Sequence, residues 1–143
     1  MYRFFIFVFS IFLLGACGPE VSIEIDSEQT RVIYDEELEM VSFYVRLVNT
    51  GTLPAHDLYA RFVINHPTVQ QSVGGQTDFL FQDSEGNLEV FKLSPDSSYF
   101  FAEAFSLEAE VTAEDLTNSI HVEIYDSKDQ ILTEHTFSQV TNE

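Results

Sequence analysis

Two strictly alternating segments on either side of one short turn limit what this chain can fold into. In "MVSFYVRLVN", residues 40–49, Val41, Phe43, Val45 and Leu47 fall on one face, and Ser42, Tyr44 and Arg46 on the other. In "LYARFVIN", residues 58–65, Leu58, Ala60, Phe62 and Ile64 alternate with Tyr59, Arg61 and Val63. A period of two is the mark of a strand with one buried face, and no helix satisfies it. The connection "NTGTLPAHD" holds Gly51 and Pro54, both strong interruptions of regular structure.

The rest of the chain has the same texture. "VSIEID" and "TRVIYD" are short β candidates, followed by the acidic turn Asp35-Glu36-Glu37. "DFLFQ" and "LEVFKL" flank "DSEGN", a hairpin turn in which Gly86 takes positive φ. "IHVEIYD" and "ILTEHTF" are joined by a second hairpin, and "YFFAEAFSLEAEV" is aromatic-rich with period two in parts. "TVQQSVGGQ" loses the pattern and reads as a flexible loop, while "TAEDLTN" predicts one helical turn starting at Thr112 or Ala113. Short strands broken by frequent turns, without long helices, predict an all-β protein: a single antiparallel β-sandwich of about seven to nine strands. The domain is expected over residues 21–139, with 140–143 as a C-terminal tail.

The first residues are of another kind. Arg3 precedes an apolar run from Phe4 to Leu14. A spanning helix needs roughly 18 or more apolar residues, so this run is too short. A basic start, a short apolar stretch and then small residues form a secretory signal. Leu14, Gly15, Ala16 and Cys17, the one cysteine of the chain, close it. This ending resembles the lipobox of bacterial lipoproteins. The resemblance implies a signal peptide over 1–16, transfer of diacylglycerol to the Cys17 thiol and cleavage before it. It also implies fatty acyl (palmitate-type) chains on the new terminus and a tether over 17–20. The expected location is the extracytoplasmic face of the cell membrane, or the outer membrane if the source has two, since Gly18 rather than aspartate follows the anchor. One acyl chain binds a membrane only marginally, whereas two or more hold firmly.

Past the signal the chain carries all 24 acidic residues against Arg31, Arg46, Arg61, Lys92 and Lys128, and the whole chain has a formal net charge of −18. Such a field repels nucleic acid and anionic headgroups, so nucleic acid is not an expected partner. With no second cysteine, stability rests on the core, for which 14 phenylalanines and six tyrosines supply the area.

The turn between the two long strands resembles the Asn-x-Gly-x-x-Pro-Ala turn of immunoglobulin-like domains in bacterial surface proteins, of the cell-adhesion-related type. Asn49, Gly51, Pro54 and Ala55 carry the match. What this implies is an interaction or spacer module, with no catalytic residues to carry over.

Chemistry-bearing constellations are few. For the last hairpin, a four-residue loop pairs Ile124 with Ile131, Val122 with Thr133 and Ile120 with His135, and turns His121 and His135 to opposite faces. A three-residue loop would instead set His121 against His135 as a two-histidine metal site. The first register places Ile131 and Phe137 on the core face and is preferred. Calcium has hard oxygen donors at two turns, Asp83, Glu85 and Asn87 in one, Asp126 and Asp129 in the other, though neither matches an EF-hand loop. The same residues are ordinary turn formers. No G-x-S-x-G, phosphate-binding loop or H-E-x-x-H is present. The expectation is a non-catalytic binding or accessory module without cofactor, anchored by lipid and partnered by an envelope protein. A calcium-dependent or carbohydrate- or wall-binding module is the alternative.

Overall fold

The computed structural model describes residues 18–143. The signal segment 1–16 and Cys17 lie outside the described residues. Ten strands form: β1 (Ile23–Ile25), β2 (Arg31–Asp35), β3 (Met40–Asn49), β4 (Ala55–Ile64), β5 (Asp78–Leu80), β6 (Phe91–Leu93), β7 (Ser98–Ser106), β8 (Ile120–Tyr125), β9 (Ile131–Thr136) and β10 (Val140–Asn142). Two short helices join them, α1 (Pro67–Ser72) and α2 (Ala113–Leu116).

The strands divide into two five-stranded sheets. In the first, β3 is central, with β7 along one side, β1 and β2 along the other, and β10 outside β2. In the second, β4 is flanked by β5 and β6 on one side and by β8, then β9, on the other. This is the strand arrangement of an immunoglobulin-like sandwich, an A-B-E sheet facing a C′-C-F-G sheet.

The alternation of the two long strands is realised in full. Val41, Phe43, Val45 and Leu47 of β3, and Ala60 and Phe62 of β4, have no accessible surface, and Leu58 and Ile64 almost none. Phe43 and Phe62 meet between the sheets at 5.9 Å, and Phe137 lies 6.1 Å from Phe43. Other aromatic side chains turn inward too: Phe81 stands 4.8 Å from Phe101, and Phe91 stacks on Tyr99 at 4.7 Å. Of the adjacent pair on β7, Phe101 is buried, while Phe100 lies outside against Tyr44 with Arg46 over its ring.

The turn at residues 49–55 ties the sheets together. Asn49 is fully buried; its amide donates to the carbonyls of Leu53 (2.9 Å) and Leu93 (3.0 Å), and its oxygen accepts from the Gly51 amide (2.9 Å). A Cβ on Gly51 would stand 2.5 Å from the Glu20 carbonyl oxygen and 2.6 Å from the Ser22 nitrogen, so only glycine fits. The predicted helical turn is α2, opened by a capping box between Thr112 and Asp115.

Four expectations are corrected. Among the described residues the count is ten strands against about seven to nine expected, because β1, β5, β6 and β10 are three-residue pieces. Residues 140–142 are not a tail: they pair in parallel with β2, Val140 beside Val32, so the sandwich is not wholly antiparallel. "PTVQQS" is helix α1, not loop; Pro67 opens it, Val69 and Ser72 are buried, and Val73 follows as core. In the last hairpin Val122 pairs with His135 and Ile124 with Thr133, two residues away from the expected register. An even slip keeps the faces, so Phe137 is core and His135 points inward as expected, opposite His121. Ile131 does not: a bulge at Leu132 sets Ile131 opposite Tyr125, where it is 47% exposed.

Candidate functional site

The outer face of the second sheet gathers an ordered band of charged and aromatic side chains. It is built by register. Across β4 and β8, Tyr59 stands beside Tyr125, Arg61 beside Glu123, and Val63 beside His121. Across β8 and β9, Glu123 stands beside Glu134, and His121 beside Thr136.

Each side chain is held by another. The Tyr59 and Tyr125 rings stack at 5.0 Å with 7° between their planes. The Tyr59 hydroxyl donates to Asp129 (2.7 Å), and burial together with that carboxylate pushes the phenol up to about 12. The Tyr125 hydroxyl donates to Glu123 Oε2 (2.7 Å), which raises its pKa above the ordinary tyrosine value. Arg61 donates through Nε (3.1 Å) and Nη2 (2.9 Å) to Asp78 Oδ2, and its Nη1 lies 3.6 Å from Glu123 Oε2. The guanidinium holds the Asp78 carboxyl below the usual range, and Asp78 in turn raises Arg61.

At the β9 end His121 Nε2 is 3.4 Å from Glu134 Oε2, and its Nδ1 is 3.0 Å from Thr136 Oγ1. Donor atoms of His121, Glu123 and Glu134 all lie within 4.8 Å of one another. Two glutamates directly opposed across a sheet repel each other. Arg61 relieves that from the Glu123 side. One imidazole nitrogen and two carboxylates form a donor set for a zinc-like ion. The 3.4 Å spacing of Nε2 and Oε2 is close to the edge of a tetrahedron with ligand bonds of about 2.0–2.1 Å. Thr136 holds the far nitrogen, as the outer partner of a metal-bound histidine does.

The turn residues named for calcium are placed otherwise. Asp83 Oδ1 accepts from the amides of Glu85 and Asn87, both at 2.9 Å, and Gly86 takes φ +84°. Asp126 Oδ1 accepts from the amides of Lys128 (2.8 Å) and Gln130 (3.0 Å). These backbone bonds lower both carboxyls. Asp129, at φ +58°, is the acceptor for Tyr59. Their carboxylates thus close turns and hold a neighbouring strand, and among the described residues the donor side chains that gather are His121, Glu123 and Glu134 instead. A signal for that trio exists: His121 and Glu123 are two apart on one strand, and Glu134 takes the opposite face to its neighbour His135.

His135 faces inward beside Phe137, its Nε2 without a partner among the described residues, and burial holds it below the ordinary histidine value. Asn49, Gly51, Pro54 and Ala55 lie together at the turn between β3 and β4, away from this band, and act as structure.

The fold places the chain among immunoglobulin-like sandwiches. Solved structures with a similar course include the CARDB domain of a Pyrococcus furiosus protein in complex with di-metal ions, at 15% identity over 87% of this chain and 96% of that one, TM-score 0.47. Another is the ligand-binding region of serine-glutamate repeat protein A of Enterococcus faecium, at 11% identity over 87% and 97%, TM-score 0.44. A third is the Pseudomonas fluorescens alkylpurine DNA glycosylase AlkC bound to DNA with an abasic-site analog, at 17% identity and TM-score 0.44. This chain spans about a third of that enzyme: 90% of this chain aligns with 33% of the other. No protein-family model matches, and no curated protein does.

Proposed function

We propose that the chain is a lipid-anchored module of the bacterial cell envelope that binds another envelope protein and performs no catalysis. Cys17 carries the lipid, residues 18–20 form the tether, and the sandwich is displayed outside the cytoplasmic membrane. The observation that supports binding is the open band Tyr59–Tyr125–Arg61–Glu123–His121–Glu134: ordered aromatic and charged groups on a sheet face, held by each other and free to meet a surface. Among the described residues no helix is long and apolar enough to cross a membrane. Replacing Cys17 by alanine should move the domain out of the membrane fraction or leave it unprocessed. A variant that stays bound and processed overturns the anchor. Crosslinking on intact cells, followed by mass spectrometry, should recover a partner that Arg61→Glu loses; equal recovery from both overturns the binding face.

A second reading has its own support in the His121–Glu134 spacing: the module takes a divalent cation at His121, Glu123 and Glu134. The imidazole favours zinc over calcium. Calorimetric titration should give one zinc site per chain, abolished by His121→Ala and weakened roughly 10–100-fold by Thr136→Val. Absence of heat with both zinc and calcium removes this reading.

A further inference from the structure

Among the described residues strand β7 has one neighbour, β3, and its other edge is open. Which backbone groups face that edge follows from the bonds at the two ends of the pair. Leu107 N–H donates to Glu39 O (2.7 Å), and Asn49 N–H donates to Ser97 O (3.0 Å). In an antiparallel pair bonded residues alternate with unbonded ones. The odd-numbered residues of β7 therefore bond β3. Ser98, Phe100, Ala102, Ala104 and Ser106 aim their N–H and C=O groups outward, and none has a hydrogen-bond partner among the described residues.

The side chains of the same five residues are exposed on the outer face and carry no charge, in a chain with 24 acids. They are small but for Phe100, which is 46% exposed. The strand reads S-Y-F-F-A-E-A-F-S, with a serine at each end and an aromatic residue next to each, while about Ala102 Phe100 falls opposite Ala104 and Phe101 opposite Glu103. Turned through a two-fold axis at Ala102, serine meets serine at the ends, and Tyr99 meets Phe105. Phe100 then covers Ala104, and Ala102 meets itself.

We propose that β7 pairs in antiparallel fashion with β7 of a second copy of this chain, joining the two first sheets into one. A two-fold contact of this type is self-complementary and closed. The outward groups on both strands then form five bonded pairs, about ten hydrogen bonds. A nine-residue edge is roughly 30 Å long. Contact along one strand of one sheet buries less than the roughly 800 Å² per partner of a standard interface. The dimer is therefore weak in dilute solution and gains wherever both copies share one surface. Repulsion between two chains of net charge −18 favours contact along this uncharged edge and makes the dimer tighter in salt. Glu103 is the one charge on β7; it points inward to the cleft of about 420 Å³ that it lines with Asp78, Phe79, Leu80 and Phe105. An inward charge on an edge strand opposes pairing, so Glu103→Gln should tighten the dimer.

The test uses the full chain in its membrane, with the unchanged chain as the Cys17 baseline. On the axis two Cα atoms stand about 5.5 Å apart, within disulfide reach. Ala102→Cys should give a covalent dimer on mild oxidation. Ser106→Cys alone should give none above baseline, and Ser98→Cys with Ser106→Cys should restore it. In detergent, light scattering should show a concentration-dependent dimer that is lost in Ala102→Pro, whose missing N–H faces away from β3, and in Phe100→Lys. A chain that stays monomeric at the highest concentration, an Ala102→Cys chain at baseline, Ser106→Cys linking as well as Ala102→Cys, or crosslinks only to a different protein would each overturn the proposal.

Discussion

Asn49→Ala is expected to cost about 3–5 kcal/mol of folding stability, against a total of about 5–15 kcal/mol for a domain of this kind. The residue is fully buried and makes three hydrogen bonds, two as donor to the Leu53 and Leu93 carbonyls and one as acceptor from the Gly51 amide. Truncation leaves the Leu93 carbonyl and the Gly51 N–H without partners in buried surroundings, and the Leu53 carbonyl without one in half-buried surroundings. Each such group costs about 1–3 kcal/mol, more than the net gain from making the bond. Aspartate is no remedy: it keeps the acceptor for Gly51 but turns an oxygen toward two carbonyls. Urea titrations of the parent and both variants measure the loss. An Asn49→Ala chain within about 1 kcal/mol of the parent would show that the Leu93 contact does not hold β6 to the turn. Gly51→Ala should fail in the same region for a steric reason, since its Cβ meets backbone atoms on the β1 side rather than a flexible side chain.

Those positions were legible because the turn has a local signature, although the Asn49–Leu93 bond and the Glu20 and Ser22 backbone against Gly51 come from distant segments. An asparagine, a glycine and a Pro-Ala pair at fixed spacing specify one turn, and the flanking alternation assigns each side chain of β3 and β4 to a face. Legibility falls where a feature depends on distant pairing. Helix α1 lacks a side-chain cap at His66 and acids in its first turn, and "GGQ" follows it closely, so only Pro67 announced it. Strand β10 has three residues and no alternation to read; it exists because β2 offers an edge. The functional band was half visible. The outward positions of Tyr59, Arg61, His121, Glu123 and Glu134 follow from period two, whereas the pairing of Glu134 with Glu123, rather than with His121, comes from the register set by the Leu132 bulge. The calcium residues were visible as acids in turns, but whether an Asp oxygen faces solvent or a backbone amide two residues on is decided by turn geometry.

Phe43→Ala is expected to cost about 3–5 kcal/mol, the usual loss for removing a fully buried aromatic ring and leaving part of its volume empty. Phe43 stands at the centre of both sheets: its ring lies 5.9 Å from Phe62 on β4, 6.3 Å from Phe79 on β5, 5.6 Å from Phe105 on β7 and 6.1 Å from Phe137 beyond β9. Four neighbours on different elements cannot all close on the space, so little of the cavity term is recovered. Phe43→Leu keeps most of the volume and should cost about 1–2 kcal/mol. The comparison that isolates the cause is Tyr44→Ala, one residue along the same strand. Tyr44 is half-buried on the outer face against Phe100, with Arg31 over its ring. Its removal should cost under about 1 kcal/mol of packing and cation–π attraction. Denaturant midpoints at unchanged slope measure all three. Equal losses at Phe43 and Tyr44 would mean that β3 does not present alternate residues to the core, and with that the facing of the two sheets would have to be redrawn.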